Sequence, residues 1–288
     1  MKTVNSISGG KTSAYVMANY PADYNLFSLV RIEDMKCKFP DEKIRLEVED
    51  RIQKPFIATA EDDMIIYTML DLEQYLGKPI TWVSGITYDQ VIATKGGWLP
   101  NKLHRYCTSH LKIEPMFYWW AENIGEPVEM RIGFRANEAS RMATTMEKLN
   151  ADGMIEFNAT FGKHTEGSHK GKNKWELVGW QYPKFPLIEN PTYKDAIVEF
   201  WKDKPVRFAE LNNCVGCFHR NPLLLKKMYD LHPNKMQWFN DQEKIKMGKD
   251  KRACWRSDTT YEKVKNYMPQ FELEFENFTE CDSGHCEL

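Results

Sequence analysis

Residues 4–13 constrain this 288-residue chain more than any other stretch: Val4-Asn5-Ser6-Ile7-Ser8-Gly9-Gly10-Lys11-Thr12-Ser13. A short β-like run ends in Ser-Gly-Gly, and a helix-like stretch at 12–19 follows at once. Glycine has no Cβ, so two in succession let the backbone turn sharply and aim its N–H groups inward. The first amides of the following helix point at the same spot, and together they form a seat for an anion such as phosphate. The spacing is neither G-x-x-x-x-G-K-[ST] nor G-x-G-x-x-G. The competing reading is an ordinary tight turn between a strand and a helix.

The rest of the first half alternates in the same manner. Strand-like runs at 3–8, 26–32, 79–83 and 128–132 are separated by helical patterns at 41–53, 62–76, 88–94, 108–123 and 137–149. Pro115 falls inside the fourth of these helices and predicts a kink there. Such alternation argues for a parallel sheet covered on both faces, with the ligand beyond the carboxyl ends of the strands. Residues 162–174 (GKHTEGSHKGKNK) are lysine-rich and punctuated by glycine, and they read as a mobile loop or a boundary. Helical patterns return at 193–201, 222–231, 235–247 and 261–267, before a polar tail.

The formal net charge of -2 gives no global basic field to recruit nucleic acid, although a local basic patch is compatible with it. No stretch approaches the ~20 apolar residues of a membrane span, and the first residues carry no apolar leader. A cytoplasmic protein without a membrane partner is expected. Seven cysteines, an odd number, fit metal binding or thiol chemistry better than a disulfide framework there.

Three further segments carry chemistry. In Arg105-Tyr106-Cys107-Thr108-Ser109-His110-Leu111-Lys112, cations surround one cysteine. Arg105 and Lys112 would lower its thiol pKa or pair with phosphate. The plainer reading is a solvated helix start with a buried cysteine. In Gly133-Phe134-Arg135-Ala136-Asn137-Glu138-Ala139-Ser140-Arg141, a strand ends and two arginines bracket a glutamate. Arginines so placed suit bidentate anion capture, and equally a surface salt-bridge cluster. In Cys214-Val215-Gly216-Cys217, the C-x-x-C spacing lets two thiolates reach one metal centre, with Gly216 permitting the turn. Two core cysteines or a redox dithiol are the alternatives. Cys254, Cys281 and Cys286 are left to complete a cluster, or to reach the active site as a nucleophile. Cys37, in Lys36-Cys37-Lys38, has no partner pattern.

In this order the segments resemble the phosphoadenosine phosphosulfate (PAPS) reductase family of the PP-loop, adenine nucleotide alpha hydrolase-like superfamily. Ser8-Gly9-Gly10-Lys11-Thr12-Ser13 is similar to the PP-loop signature SGGxxS. Arg105, Cys107, Thr108, Leu111, Lys112 and Pro115 resemble R-x-C-T-x-x-L-K-x-x-P. Gly133, Arg135, Glu138 and Arg141 resemble G-x-R-x-x-E-x-x-R. Tyr182-Pro183 and Phe185-Pro186-Leu187 resemble a downstream aromatic–proline stretch, and Cys214 and Cys217 resemble the late C-x-x-C of iron–sulfur members. The chain departs from the pattern at Thr12, where many ATP-using loops carry Asp, and at Tyr106, where cluster-bearing members carry a second cysteine.

The resemblance implies a Rossmann-like α/β/α sandwich with a parallel sheet. A nucleotide-binding α/β domain would span 1–161, a mobile loop 162–175, and a smaller, mostly helical, cysteine-bearing region 176–288. It implies an adenine nucleotide held by Ser8, Gly9, Gly10, Lys11, Thr12, Ser13, Arg105, Arg135, Glu138 and Arg141. It implies an iron–sulfur cluster, of the four-iron, four-sulfur type, on Cys107, Cys214, Cys217 and a fourth ligand such as Cys286, with zinc as the alternative metal and Mg2+ as a companion of ATP. Two reactions follow from it. One is ATP-dependent adenylylation and thiolation of an acceptor, with tRNA, DNA or a sulfur-carrier protein as partner. The other is reduction of PAPS or its 3′-dephosphorylated analogue APS, in which Cys281 or Cys286 attacks sulfur and releases sulfite; Lys112 is the further candidate catalytic residue. A non-catalytic nucleotide-binding metal protein is the third reading.

Overall fold

The computed structural model describes residues 1–243 and 253–268. It is a mixed α/β fold on a six-stranded sheet of order β5-β2-β1-β6-β8-β7. The chain begins with β1 (Thr3–Ile7), α1 (Lys11–Asn19), β2 (Tyr24–Ser28) and the short β3 (Arg31–Ile32). It continues through α2 (Glu42–Ile52), β4 (Ala58–Thr59), α3 (Met64–Leu76), β5 (Thr81–Val83) and α4 (Tyr88–Thr94). Next come α5 (Tyr106–Thr108), α6 (Glu114–Asn123), β6 (Val128–Arg131), α7 (Ala139–Met146), β7 (Ile155–Lys163) and β8 (Asn173–Lys184). Five helices close the order: α8 (Pro186–Glu189), α9 (Lys194–Trp201), α10 (Pro222–Leu231), α11 (Pro233–Gln242) and α12 (Tyr261–Lys265).

Local chemistry sets many of these boundaries. Asp41 accepts from the amides of Lys43 and Ile44 to open α2, and Thr87 with Gln90 forms a capping box on α4. Proline stands at the first position of α10 and α11, where its missing N–H costs nothing. The helix expected over 108–123 is continuous, and it is irregular beside Pro115. A π-helical turn, Ser109–Ile113, lies between α5 and α6. Pro115 has no N–H to give the carbonyl of Leu111 four residues back, and Ser28 Oγ donates to that carbonyl instead, at 2.9 Å.

Strands β1 and β6 run parallel, with Val4 opposite Met130, and β6 and β8 run parallel, with Met130 opposite Pro183. The outer pair, β7 and β8, is antiparallel. Within 162–174, read from the sequence as a mobile loop or a boundary, residues 164–172 form the turn that joins these two strands, and the residues on either side lie in the strand ends.

The described chain divides into two compact units. The first comprises Met1–Ile7, Lys11–Leu26 and Phe117–Asp203. Its core includes Val4, Val16, Met17, Val128 and Met130, with Phe117 packed against Phe157 and Trp180. The second comprises Ser8–Gly10, Phe27–Met116 and Lys204 onward. Its core gathers Tyr88, Leu224, Leu225, Met228, Trp238, Phe239, Trp255 and Tyr261. Among the described residues no helix is long and apolar enough to cross a membrane.

Candidate functional site

The glycine-rich segment turns as its composition requires. Ser8 is exposed, Gly9 takes φ +81°, and α1 starts at Lys11 with no acidic residue in its first turn. A Cβ on Gly9 would lie 2.6 Å from Ile65 Cγ2, and any L-residue there would be strained by its backbone angle. Gly10 is closed by a different neighbour: its missing Cβ would occupy the place of the Asn212 side-chain amide. Gly9 and Gly10 group with the second unit; Lys11, Thr12 and Ser13 group with the first.

Within the first unit, the end of β6 is pressed against the start of α1. A Cβ on Gly133 would lie 3.3 Å from both Cα and N of Ser13. Arg135 follows two residues later and belongs to a trio. Glu138 Oε2 accepts from the Arg135 amide and from Arg135 Nε, both at 2.9 Å, and Glu138 Oε1 accepts from Arg141 Nη1 at 2.5 Å. Arg141 also lies over the Phe134 ring, 4.2 Å from its centroid, and Phe134 stacks on Phe185. Burial alone would raise the Glu138 carboxyl. The hydrogen bonds from Arg135 and the charges of Arg135 and Arg141 outweigh it and hold the group at about 2. The trio therefore holds one carboxylate between two guanidiniums on a fixed frame. Lys11 is exposed and Ser13 is buried at the neighbouring helix start.

Within the second unit the cysteines do not form the expected metal centre. Among the described residues no group of three or more His, Cys, Asp or Glu side chains is placed to hold a metal ion. The iron–sulfur cluster on Cys107, Cys214 and Cys217, and zinc as its replacement, are corrected accordingly. The physical reason lies in what surrounds these side chains. Cys107 and Cys214 pack against the apolar core, and the buried Tyr88 hydroxyl hydrogen-bonds Cys107. The C-x-x-C segment is a backbone turn closed by Cys217 N–H on the Cys214 carbonyl, at 3.1 Å. Val215 N–H donates to the Ala60 carbonyl, Tyr261 Oη donates to the Gly216 carbonyl, and Arg220 donates to the carbonyls of Asn212 and Cys214. Gly216 is required because the Phe239 ring fills the space a Cβ would need. The spacing serves a tight turn in an aromatic core. Cys37 is buried, and burial pushes its thiol up to about 12. Cys281 and Cys286 lie outside the described residues, as do the last positions of the helix expected over 235–247.

Lys112, a candidate catalytic residue, is an ion-pair partner. Its Nζ donates to Glu61 Oε1 at 2.9 Å, and Glu61 is 1% exposed. The two following acids are matched likewise, Asp62 by His232 and Asp63 by Lys235, whose Nζ also donates to the Glu61 carbonyl. Glu61 and Cys214 form an isolated antiparallel bridge, so this acidic run backs directly onto the C-x-x-C turn. Arg105 is half-buried immediately before α5, and its carbonyl accepts from Thr108 N–H.

Two residues central to this geometry escaped the sequence reading. Asn212 closes the space behind Gly10, and Glu61 holds Lys112. Asn212 stands two positions before Cys214, where the cysteine spacing drew the attention. Glu61 carries no local motif. No protein-family model, curated protein or solved structure matches this chain.

Proposed function

We propose that this chain binds an adenine nucleotide, with its phosphates on the helix start at Lys11, Thr12 and Ser13, and uses ATP to adenylylate an acceptor in sulfur-transfer chemistry. One observation carries the reading: Gly133 packs on the Ser13 backbone, so the strand end bearing Arg135, Glu138 and Arg141 adjoins the first turn of α1. Helix amides and two guanidiniums held in place by Glu138 then serve one polyanion. The exposed Lys11 adds a cation at the same helix start. In the reaction an acceptor oxygen attacks the α-phosphorus, the bond from that phosphorus to the bridging oxygen breaks, and pyrophosphate leaves with the electron pair. Charge grows on the leaving oxygens, which is where preorganised donors accelerate phosphate chemistry.

Titration calorimetry with ATP, ADP, AMP and PAPS tests the binding, and pyrophosphate release tests the reaction. The expected order is ATP ahead of AMP, because the pyrophosphate is the recognised part. Lys11→Ala should weaken ATP by about tenfold, the scale of one charge-assisted contact, and leave AMP little changed. Equal affinity for ATP and AMP would remove the helix start from the proposal. Sulfite release from PAPS, with no pyrophosphate release from ATP, would replace adenylyl transfer by sulfonucleotide reduction.

A further inference from the structure

We infer that the β7–β8 hairpin binds single-stranded nucleic acid on its outer face. Binding itself does not rest on the adenylyl-transfer reading; only the suggestion that the strand is the acceptor does. Strands β7 and β8 span Ile155–Lys163 and Asn173–Lys184, yet β8 pairs with β6 only from Gln181 to Lys184. Among the described residues β7 is its one strand partner over 173–179, so this part is a two-stranded ribbon reaching past β6. Isolated ribbons of that kind are marginal in water. This one is held on its inner face, where Phe157 and Phe161 lie against Phe117 and Tyr118, and Tyr118 Oη bonds both the amide and the carbonyl of Thr160.

The opposite face follows from the register. Thr160 faces Trp175 and Asn158 faces Leu177, and directly opposed residues share a side. Trp175 is 56% exposed and Leu177 67% exposed, although these are side chains that folding ordinarily covers. Lys163, opposite Asn173, shares this face, the exposed Lys170 and Lys172 lie in the adjoining turn, and Lys174 alternates onto the other face; Glu166 is the one acid within 162–174. The turn is ordered: Gly171 N–H donates to the His164 carbonyl, His164 N–H to the Lys172 carbonyl, and the rings of His164 and His169 lie 5.8 Å apart. The ribbon therefore presents an exposed indole beside Lys163 and the lysines of the turn.

That combination selects its partner. A base has a π-face for the indole, and a phosphate follows each base for the lysines. A lipid surface is the weaker fit, because the two apolar side chains share their face with Asn158, Thr160 and Asn173. A duplex hides its base faces and offers Trp175 nothing to stack on.

The test is fluorescence anisotropy of labelled oligothymidylate and an oligoribonucleotide, with full-length protein and no ATP. Wild type should bind single strands, release them as salt rises, and quench its tryptophan emission on binding. Trp175→Ala should weaken binding about tenfold, within the range for loss of one base–aromatic stack. Lys163→Glu with Lys172→Glu should weaken it further and flatten the salt dependence. Both variants alter exposed side chains, and unchanged near-ultraviolet circular dichroism would show that they fold. The inference is overturned if wild type ignores single strands, if Trp175→Ala binds as wild type does, if duplex binds as tightly as single strand, or if anionic phosphatidylserine vesicles bind and oligonucleotides do not. Because ATP is omitted, failure of the nucleotide reading would leave these results standing, and the reverse also holds.

Discussion

The Arg135–Glu138–Arg141 trio and the Cys214–Cys217 turn look alike as sequence motifs. Each puts reactive side chains at a spacing that a ligand site requires, and each has glycine beside it. In the folded protein they diverge. The trio converges on one carboxylate and fixes two guanidiniums just beyond the end of β6. In the cysteine turn Cys214 packs against the apolar core, while backbone carbonyls of the turn are tied to Arg220 and Tyr261. Spacing is necessary for a site, but convergence decides it. Spacing is written in the sequence; convergence depends on what packs on either side.

The largest effect should come from removing the centre of the trio. Glu138→Gln leaves two guanidiniums without their carboxylate in a buried setting, a change worth about 3–5 kcal/mol in comparable pairs. Urea unfolding measures it. The sign with pH is fixed by the direction of the shift. Glu138 sits at about 2 in the folded chain against an ordinary 4.5, so its stabilisation is complete above 4.5 and is lost as pH falls towards 2. The gap between wild type and variant should therefore close on acidification. A gap that is small at neutral pH, or that does not narrow in acid, would put the trio with ordinary surface pairs and erase its difference from the cysteine turn.

Gly133→Ala comes next. The new Cβ would sit 3.3 Å from backbone atoms of Ser13, which cannot swing away as a side-chain tip can. Overpacking of this kind costs about 1–3 kcal/mol. Here it should also displace the first turn of α1 from the arginine pair, so ATP affinity should fall more than stability alone explains. Calorimetry beside thermal unfolding separates the two. If affinity holds while stability falls, Gly133 is packing only, and the trio loses its connection to the start of α1.

How far the sequence could be read follows the same division. Strands β1, β2, β5 and β6 and helices α2, α3, α4 and α10 all lie where periodicity and punctuation put them, because those signals are local. The π turn before Pro115 was hidden, since it depends on Ser28 from another strand meeting the Leu111 carbonyl. The ribbon was half visible. Ile155, Phe157, Ala159 and Phe161 alternate with polar residues, but glycine and lysine at the turn read as a loop, and Trp175 to Trp180 lacks strict alternation around an irregular register. At the site, the loop glycines and the Arg–Glu–Arg trio were legible. The fate of the cysteines was not. Tyr88 and Tyr261 are distant in sequence from Cys107 and the Cys214–Cys217 turn, and only folding brings them there.

The smallest effect is expected at the cysteine turn, and it is the sharpest test of the comparison. Cys214→Ala with Cys217→Ala trims two half-buried thiols and leaves every backbone bond of the turn in place. A change of about 1 kcal/mol is expected, as for modest truncations in a core. A metal centre would behave otherwise. Its binding energy is part of the folding energy, so loss of two ligands would collapse the region, and protein purified without oxygen would carry metal that the variant lacks. Metal and acid-labile sulfide analysis of both proteins, run beside urea unfolding, decides between a turn and a centre. Equal and negligible metal with a small stability loss leaves the turn to its backbone. Stoichiometric metal in wild type alone would mean that the thiols converge after all, and the two motifs would stand on the same footing.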